Sequence, residues 1–180
     1  MRKIVGAGLK PAQVSPNPPV QERASMSARK ALGLGAISGL RSASGPALVS
    51  RAASRGGLSL DGTRLAFLGS PRLSKALLVM ALGELVGDKL PATPSRTALP
   101  PLLGRAASGG LVGAALFIFE GRRATVGAAV GSSAAIAAAF TGERLRGLVV
   151  EKTGLPDPAV ALAEDAVVLL VGSRSLRGVH

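Results

Sequence analysis

The chain has 180 residues, 47% of them apolar, with a mean hydropathy of +0.39 and a formal charge of +12 from 22 Lys/Arg against 10 Asp/Glu. It contains no Cys, Trp or Tyr, and its one His is the last residue, His180. These absences exclude a disulfide framework, a thiol nucleophile and Cys-ligated zinc, and they leave no internal His for a Ser-His-Asp arrangement.

The charge invites a nucleic-acid reading, but the basic residues are spread between apolar stretches and no Trp or Tyr offers a stacking platform. Basic loops between apolar segments fit a membrane protein instead, with the lipid bilayer as partner and no nucleic acid.

Residues 1–30 carry Pro11, Pro16, Pro18 and Pro19, with six Lys/Arg against the single acid Glu22, the composition of a disordered basic arm. The apolar run Ile4 to Leu9 is too short for a signal peptide, and Met26, just ahead of the first apolar segment, is an alternative start. A helical membrane domain is expected over 31–172, followed by a short basic tail at 173–180.

Segment one, Ala31 to Ser50, has twenty residues, carries Arg41 at its midpoint and has Pro46 near its end. That length crosses ~30 Å of hydrocarbon. Segment two, Leu73 to Leu90, sets Lys75, Glu84, Asp88 and Lys89 around an apolar core. The Pro-rich stretch 91–101 reads as a loop or re-entrant turn.

Segment three, Leu102 to Phe119, has Arg105 near its start. Segment four, Ala124 to Gly142, has nineteen residues without a charge, between Arg122-Arg123 and Glu143-Arg144. Segment five opens with Asp157 as N-cap and Pro158 at the first helical position, runs to about Val171 and contains Glu164 and Asp165. With no strand alternation, the expected fold is all-α: an integral membrane helical bundle of four to five Gly/Ala-packed segments. Loop charges favour a cytoplasmic N-terminus by a narrow margin.

Four Gly-xxx-Gly pairs occur, Gly35/Gly39, Gly83/Gly87, Gly109/Gly113 and Gly127/Gly131, each in a different apolar segment. Small residues at this spacing let helix backbones approach closely in lipid, within one bundle or, alternatively, in a homo-oligomer. Their number is close to chance for so Gly-rich a chain, so their placement carries the reading.

The buried charges are the sharpest feature. A charge within a spanning helix costs ~2.5–3.5 kcal/mol even on an insertion scale, so it should face the bundle interior and find a partner. Glu84 and Asp88 lie one helical turn apart near a helix C-terminus, where the dipole disfavours anions and a cation should compensate them. One reading is a proton or small-cation path lined by oxygen ligands, with Arg41 as counter-ion. The other is a structural ion-pair network, or interfacial residues that snorkel. The candidates are Arg41, Glu84, Asp88, Arg96, Arg105, Glu164 and Asp165.

Nothing points to catalysis, a cofactor or a metal. Val5-Gly6-Ala7-Gly8 opens like a dinucleotide fingerprint but meets Pro11, and Gly83 to Lys89 has the wrong spacing for a P-loop. The chain is not expected to be an enzyme.

The string Gly83-Glu84-Leu85-Val86-Gly87-Asp88-Lys89-Leu90-Pro91-Ala92-Thr93-Pro94-Ser95-Arg96-Thr97 resembles the bacterial membrane-protein family catalogued as domain of unknown function 4126. Three further stretches agree with it: Gly39-Leu40-Arg41-Ser42 with Pro46, Leu103 to Gly109, and Gly154 to Asp157 leading to Ala163-Glu164-Asp165-Ala166. The resemblance implies a small multi-pass protein of the bacterial inner membrane and supplies no activity, substrate or established site. The functional expectation is a small permease or channel-like protein for protons or small cations. The alternative is a non-transporting membrane scaffold or assembly partner whose buried charges are structural.

Overall fold

Proline placement sets the first helix boundaries. The computed structural model describes residues 20–87, 95 and 97–175, which form helices and turns with no strand among them. The single segment expected over Ala31–Ser50 is two helices, α1 (Val20–Leu40) and α2 (Ser44–Ser54). In one continuous helix, Pro46 would offer no N–H to the carbonyl of Ser42, and its ring would collide with that carbonyl. It sits instead in the first turn of α2, where the missing donor costs nothing.

The chain folds back at this break. A Cβ placed on Gly45 would lie 3.1 Å from the carbonyl oxygen of Leu34, eleven positions earlier. Arg41 therefore stands at a reversal between two helices, which corrects its expected place in the middle of one span. Residues 20–30 of the expected disordered arm are helical, and 1–19 lie outside the described residues.

A short 3-10 turn at Ala66–Gly69 leads into α3 (Pro71–Gly87). The end of expected segment two and most of the Pro-rich stretch lie outside the described residues. Helix α4 (Leu99–Phe119) begins three residues earlier than expected, with Pro100 and Pro101 in its first turn. The reversal after α4 needs Gly121 at φ 69°, and there the Gly121 N–H donates to Ile118 O (2.9 Å) and Arg122 N–H to Phe117 O (2.7 Å).

Helix α5 (Ala124–Thr153) continues eleven residues past Gly142, where the uncharged run ends, and stops at the left-handed Gly154 (φ 64°). Its 30 residues span ~45 Å at 1.5 Å per residue. Helix α6 (Asp157–Ser175) takes in 173–175 of the expected tail, and 176–180 lie outside the described residues.

Close backbone contacts hold three helices together. Gly109 and Gly113 of α4 face Gly131 and Gly127 of α5, so those two helices are antiparallel. Gly35 and Gly39 of α1 face Gly131 and Ala135, so α1 runs parallel to α5. An added Cβ would come within 2.7 Å of Gly131 O from Gly35, and within 2.8 Å of the Ala138 Cβ from Gly39. Such separations leave room for hydrogen only.

Gly83 and Gly87 differ: among the described residues a Cβ on either meets nothing within 4 Å. Helices α2 and α3 form a second pair, and α6 lies against α1. Leu34, Ile37, Val49, Leu68, Leu116 and Phe117 interlock as the apolar core beneath the reversal.

Some charged side chains are buried while many large apolar ones are exposed. Arg41 is 1% exposed, Arg105 6% and Asp165 7%, while Val79, Val86 and Leu99 are each 68% exposed. Among the described residues two helices, α4 and α5, are long and apolar enough to cross a membrane.

Candidate functional site

The α1–α2 reversal leaves the carbonyls ending one helix and the N–H groups starting the next inside the bundle, where each needs a partner. Charged side chains from two other helices, α4 and α3, supply them. Arg105, six residues into α4 and one turn before Gly109, is held against α1 by the close approach of those two helices. Its Nε donates to Gly39 O at 2.9 Å, which places a cation at the C-terminal end of α1.

Glu84 of α3 does the complementary work at the start of α2. Ala43 occupies the N-cap position and has no capping side chain. The carboxylate takes that role from a distance: Oε1 accepts from Ser42 N–H (2.7 Å) and Ser42 Oγ (3.0 Å), and Oε2 accepts from Ala43 N–H (2.8 Å). An anion at a helix N-terminus is favoured by the dipole as well as by the hydrogen bonds. Arg105 Nη2 stands 3.7 Å from Glu84 Oε1, so the two caps neutralise one another.

Arg41 is carried into the same layer by the last turn of α1, where its own N–H still donates to Ile37 O at 2.8 Å. Its guanidinium forms a salt bridge and hydrogen bond with Asp165 of α6, Nη2 to Oδ1. Among the described residues the layer thus holds two cations and two anions, with Arg41–Asp165 buried and Arg105–Glu84 partly buried. Among the described residues no group of three or more His, Asp or Glu is placed to hold a metal ion. The arrangement clamps α3 and α6 to the α1–α4–α5 core and closes both ends of the helix break.

The remaining candidates lie elsewhere. Glu164 Oε2 is 4.0 Å from Arg146 Nη1, on the α5–α6 flank. Asp88 and Arg96 lie outside the described residues.

Several polar contacts escaped the reading of the sequence. Ser42 was not singled out, nor was Ser132, whose Oγ donates to Ala106 O (2.9 Å) and ties α5 to α4. Ser95 Oγ donates to Glu143 Oε1 at 2.6 Å, linking the stretch before α4 to α5. At the opposite end of α4, burial pushes the Glu120 carboxyl above its ordinary range, against the positive charges of Lys30 and Arg122, and among the described residues its buried Oε2 has no hydrogen-bond partner. Arg122 lies over the Phe117 ring, 4.3 Å from its centroid.

An internal echo in the sequence accompanies the pairing without fixing the partners. Arg41-Ser-Ala-Ser-Gly45 is echoed by Arg105-Ala-Ala-Ser-Gly109, and Ala81-Leu-Gly-Glu84 by Ala161-Leu-Ala-Glu164. The pairs cross between the echoes. Arg105 of the second meets Glu84 of the first, and Arg41 of the first meets Asp165, the neighbour of Glu164 in the second.

The fold and this layer define an all-helical bundle with paired charges inside, apolar side chains outside and two helices of membrane-spanning length. The chain belongs to the family described as domain of unknown function (DUF4126), whose model matches residues 29–176. No curated protein and no solved structure matches the chain.

Proposed function

We propose that this is a multi-pass protein of a bacterial inner membrane, serving as a non-transporting scaffold or assembly partner whose buried charges lock its helices. Membrane placement is supported by exposed apolar surface beside buried charge: Met80 and Leu82 are each 61% exposed while Arg41 is 1% exposed. In water this surface would be an aggregation liability, whereas in lipid it is the solvated face.

The structural role of the charges is supported by one observation. Both oxygens of Glu84 are engaged by the α2 N-terminus, and its nearest cation, Arg105, is engaged by the α1 C-terminus. A transport path needs groups that exchange partners, and these four are each committed to a backbone terminus or a buried pair.

A permease for protons or small cations is the second reading, favoured by the break itself. Helix ends turned into a bundle interior are a recurrent way to build ion sites in transporters. Reconstitution separates the two. The purified chain in liposomes is expected to give no proton or cation flux above protein-free vesicles, with Glu84→Gln indistinguishable from it. Flux in the wild type that is lost in a folded Glu84→Gln variant would replace the scaffold with the permease. Carbonate extraction tests the shared premise, since recovery in the soluble fraction would end both readings.

A further inference from the structure

Helices α5 and α6 diverge, and between them runs an open groove of about 460 Å3 that reaches Leu40 at the helix reversal. Its walls are almost wholly apolar, with Ala138, Leu145 and Val149 on α5 and Ala163 and Val167 on α6.

Two ionisable side chains, Arg146 and Glu164, also line it. They stand 4.0 Å apart. Each side chain is 16% exposed, so both can be reached from the groove.

Three features identify the occupant. The first is depth. The uncharged run of α5 ends at Gly142, and Arg146 lies four residues further, ~6 Å along the axis, where a hydrocarbon core gives way to headgroups. Ala138 and Val167 lie on the hydrocarbon side of that level.

The second is charge. One cation and one anion side by side complement a headgroup carrying both a phosphate and an ammonium. The third is the lining chemistry. Quaternary ammonium groups are recognised by aromatic cages, and no described lining residue is aromatic. A carboxylate such as Glu164 favours a primary ammonium, which brings three N–H donors.

We propose that the groove holds one phospholipid of the phosphatidylethanolamine type, its acyl chain along Ala138 and Val167, its phosphate on Arg146 and its ammonium on Glu164. This rests on the membrane reading above.

The test uses the full chain, reconstituted in an equal mixture of phosphatidylethanolamine, phosphatidylcholine and phosphatidylglycerol and then released into detergent for native mass spectrometry. One ethanolamine lipid should be retained with about tenfold preference, the worth of a charge-assisted hydrogen bond. Glu164→Gln should erase the preference over the choline lipid, Ala163→Phe should remove the bound lipid, and Val79→Phe on α3 should change neither.

Equal retention of all three lipids overturns the proposal, as does a preference for the glycerol lipid. So does a preference that survives Ala163→Phe, or a second copy of the chain bound in place of lipid. Should Ala163→Phe fail to fold, Glu164→Gln and Arg146→Gln carry the test. A chain that stays in the membrane fraction on carbonate extraction yet shows no lipid preference loses only this assignment.

Discussion

Removing the Glu84 carboxylate is the most informative single perturbation, because one side chain both closes a helix end and neutralises a buried arginine. Glu84→Ala leaves the N–H groups of Ser42 and Ala43, now bonded at 2.7 and 2.8 Å, without their acceptor. Each buried unsatisfied group costs about 1–3 kcal/mol. It also strips Arg105 of the carboxylate 3.7 Å away, and breaking a buried pair from one side costs about 3–5 kcal/mol. The two penalties share atoms and do not add. A net loss of about 4 kcal/mol is expected, which for a chain of this size lowers Tm by about 10 °C.

Glu84→Gln keeps one acceptor oxygen but turns an amide donor toward a backbone donor, and should lose about half as much. Thermal unfolding followed by circular dichroism in mild detergent measures this, since the chain has no Trp or Tyr for intrinsic fluorescence. A Glu84→Ala midpoint within about 2 °C of wild type would refute the capping role.

The second pair should behave the same way and also show compensation. Arg41→Met or Asp165→Leu alone is expected to cost about 3–5 kcal/mol, and the double variant much less, because an apolar pair leaves no orphaned charge; a double variant as unstable as the sum refutes the pairing. Gly131→Ala forces a Cβ to within 2.9 Å of the Gly109 carbonyl carbon and should destabilise by about 1–3 kcal/mol. Gly83→Ala, with nothing within 4 Å, should be neutral or stabilising by up to about 1 kcal/mol in the same melt.

Glu120 sets a pH dependence. Its carboxyl titrates above the ordinary 4.5 when folded, so its protonation favours the native state. The stability it contributes is full below that value and lost as pH rises through the folded pKa. Glu120→Gln should therefore melt above wild type at neutral pH and converge with it in acid; a gap that widens in acid would contradict the assignment.

The resemblance carried by Gly83 to Thr97 and the extent of the apolar runs were legible before any coordinates. The uncharged stretch Ala124 to Gly142 lies inside one helix, and Leu102 to Phe119 lies inside another. Insertion cost was enough to single out Arg41, Glu84 and Asp165, because it depends on residue type and local hydropathy alone. The partners were not legible. Arg41 and Asp165 are 124 residues apart, and nothing in either neighbourhood prefers Asp165 to Glu164 next to it. The helix break was half-legible: Pro46 was visible, but Pro within an apolar run is compatible with a kink as well as a reversal.

By itself the sequence determined the helical class, the family resemblance and the residues whose burial would be costly, since propensity, hydropathy and charge are properties of short windows. Only the tertiary structure decided that α1 and α2 fold back on each other, that Arg105 and Glu84 close the two ends of that break, and that Gly35, Gly109 and Gly131 meet where three helices touch. Those outcomes depend on which helix reaches which, and the distances involved are set by backbone contacts between segments far apart in the chain.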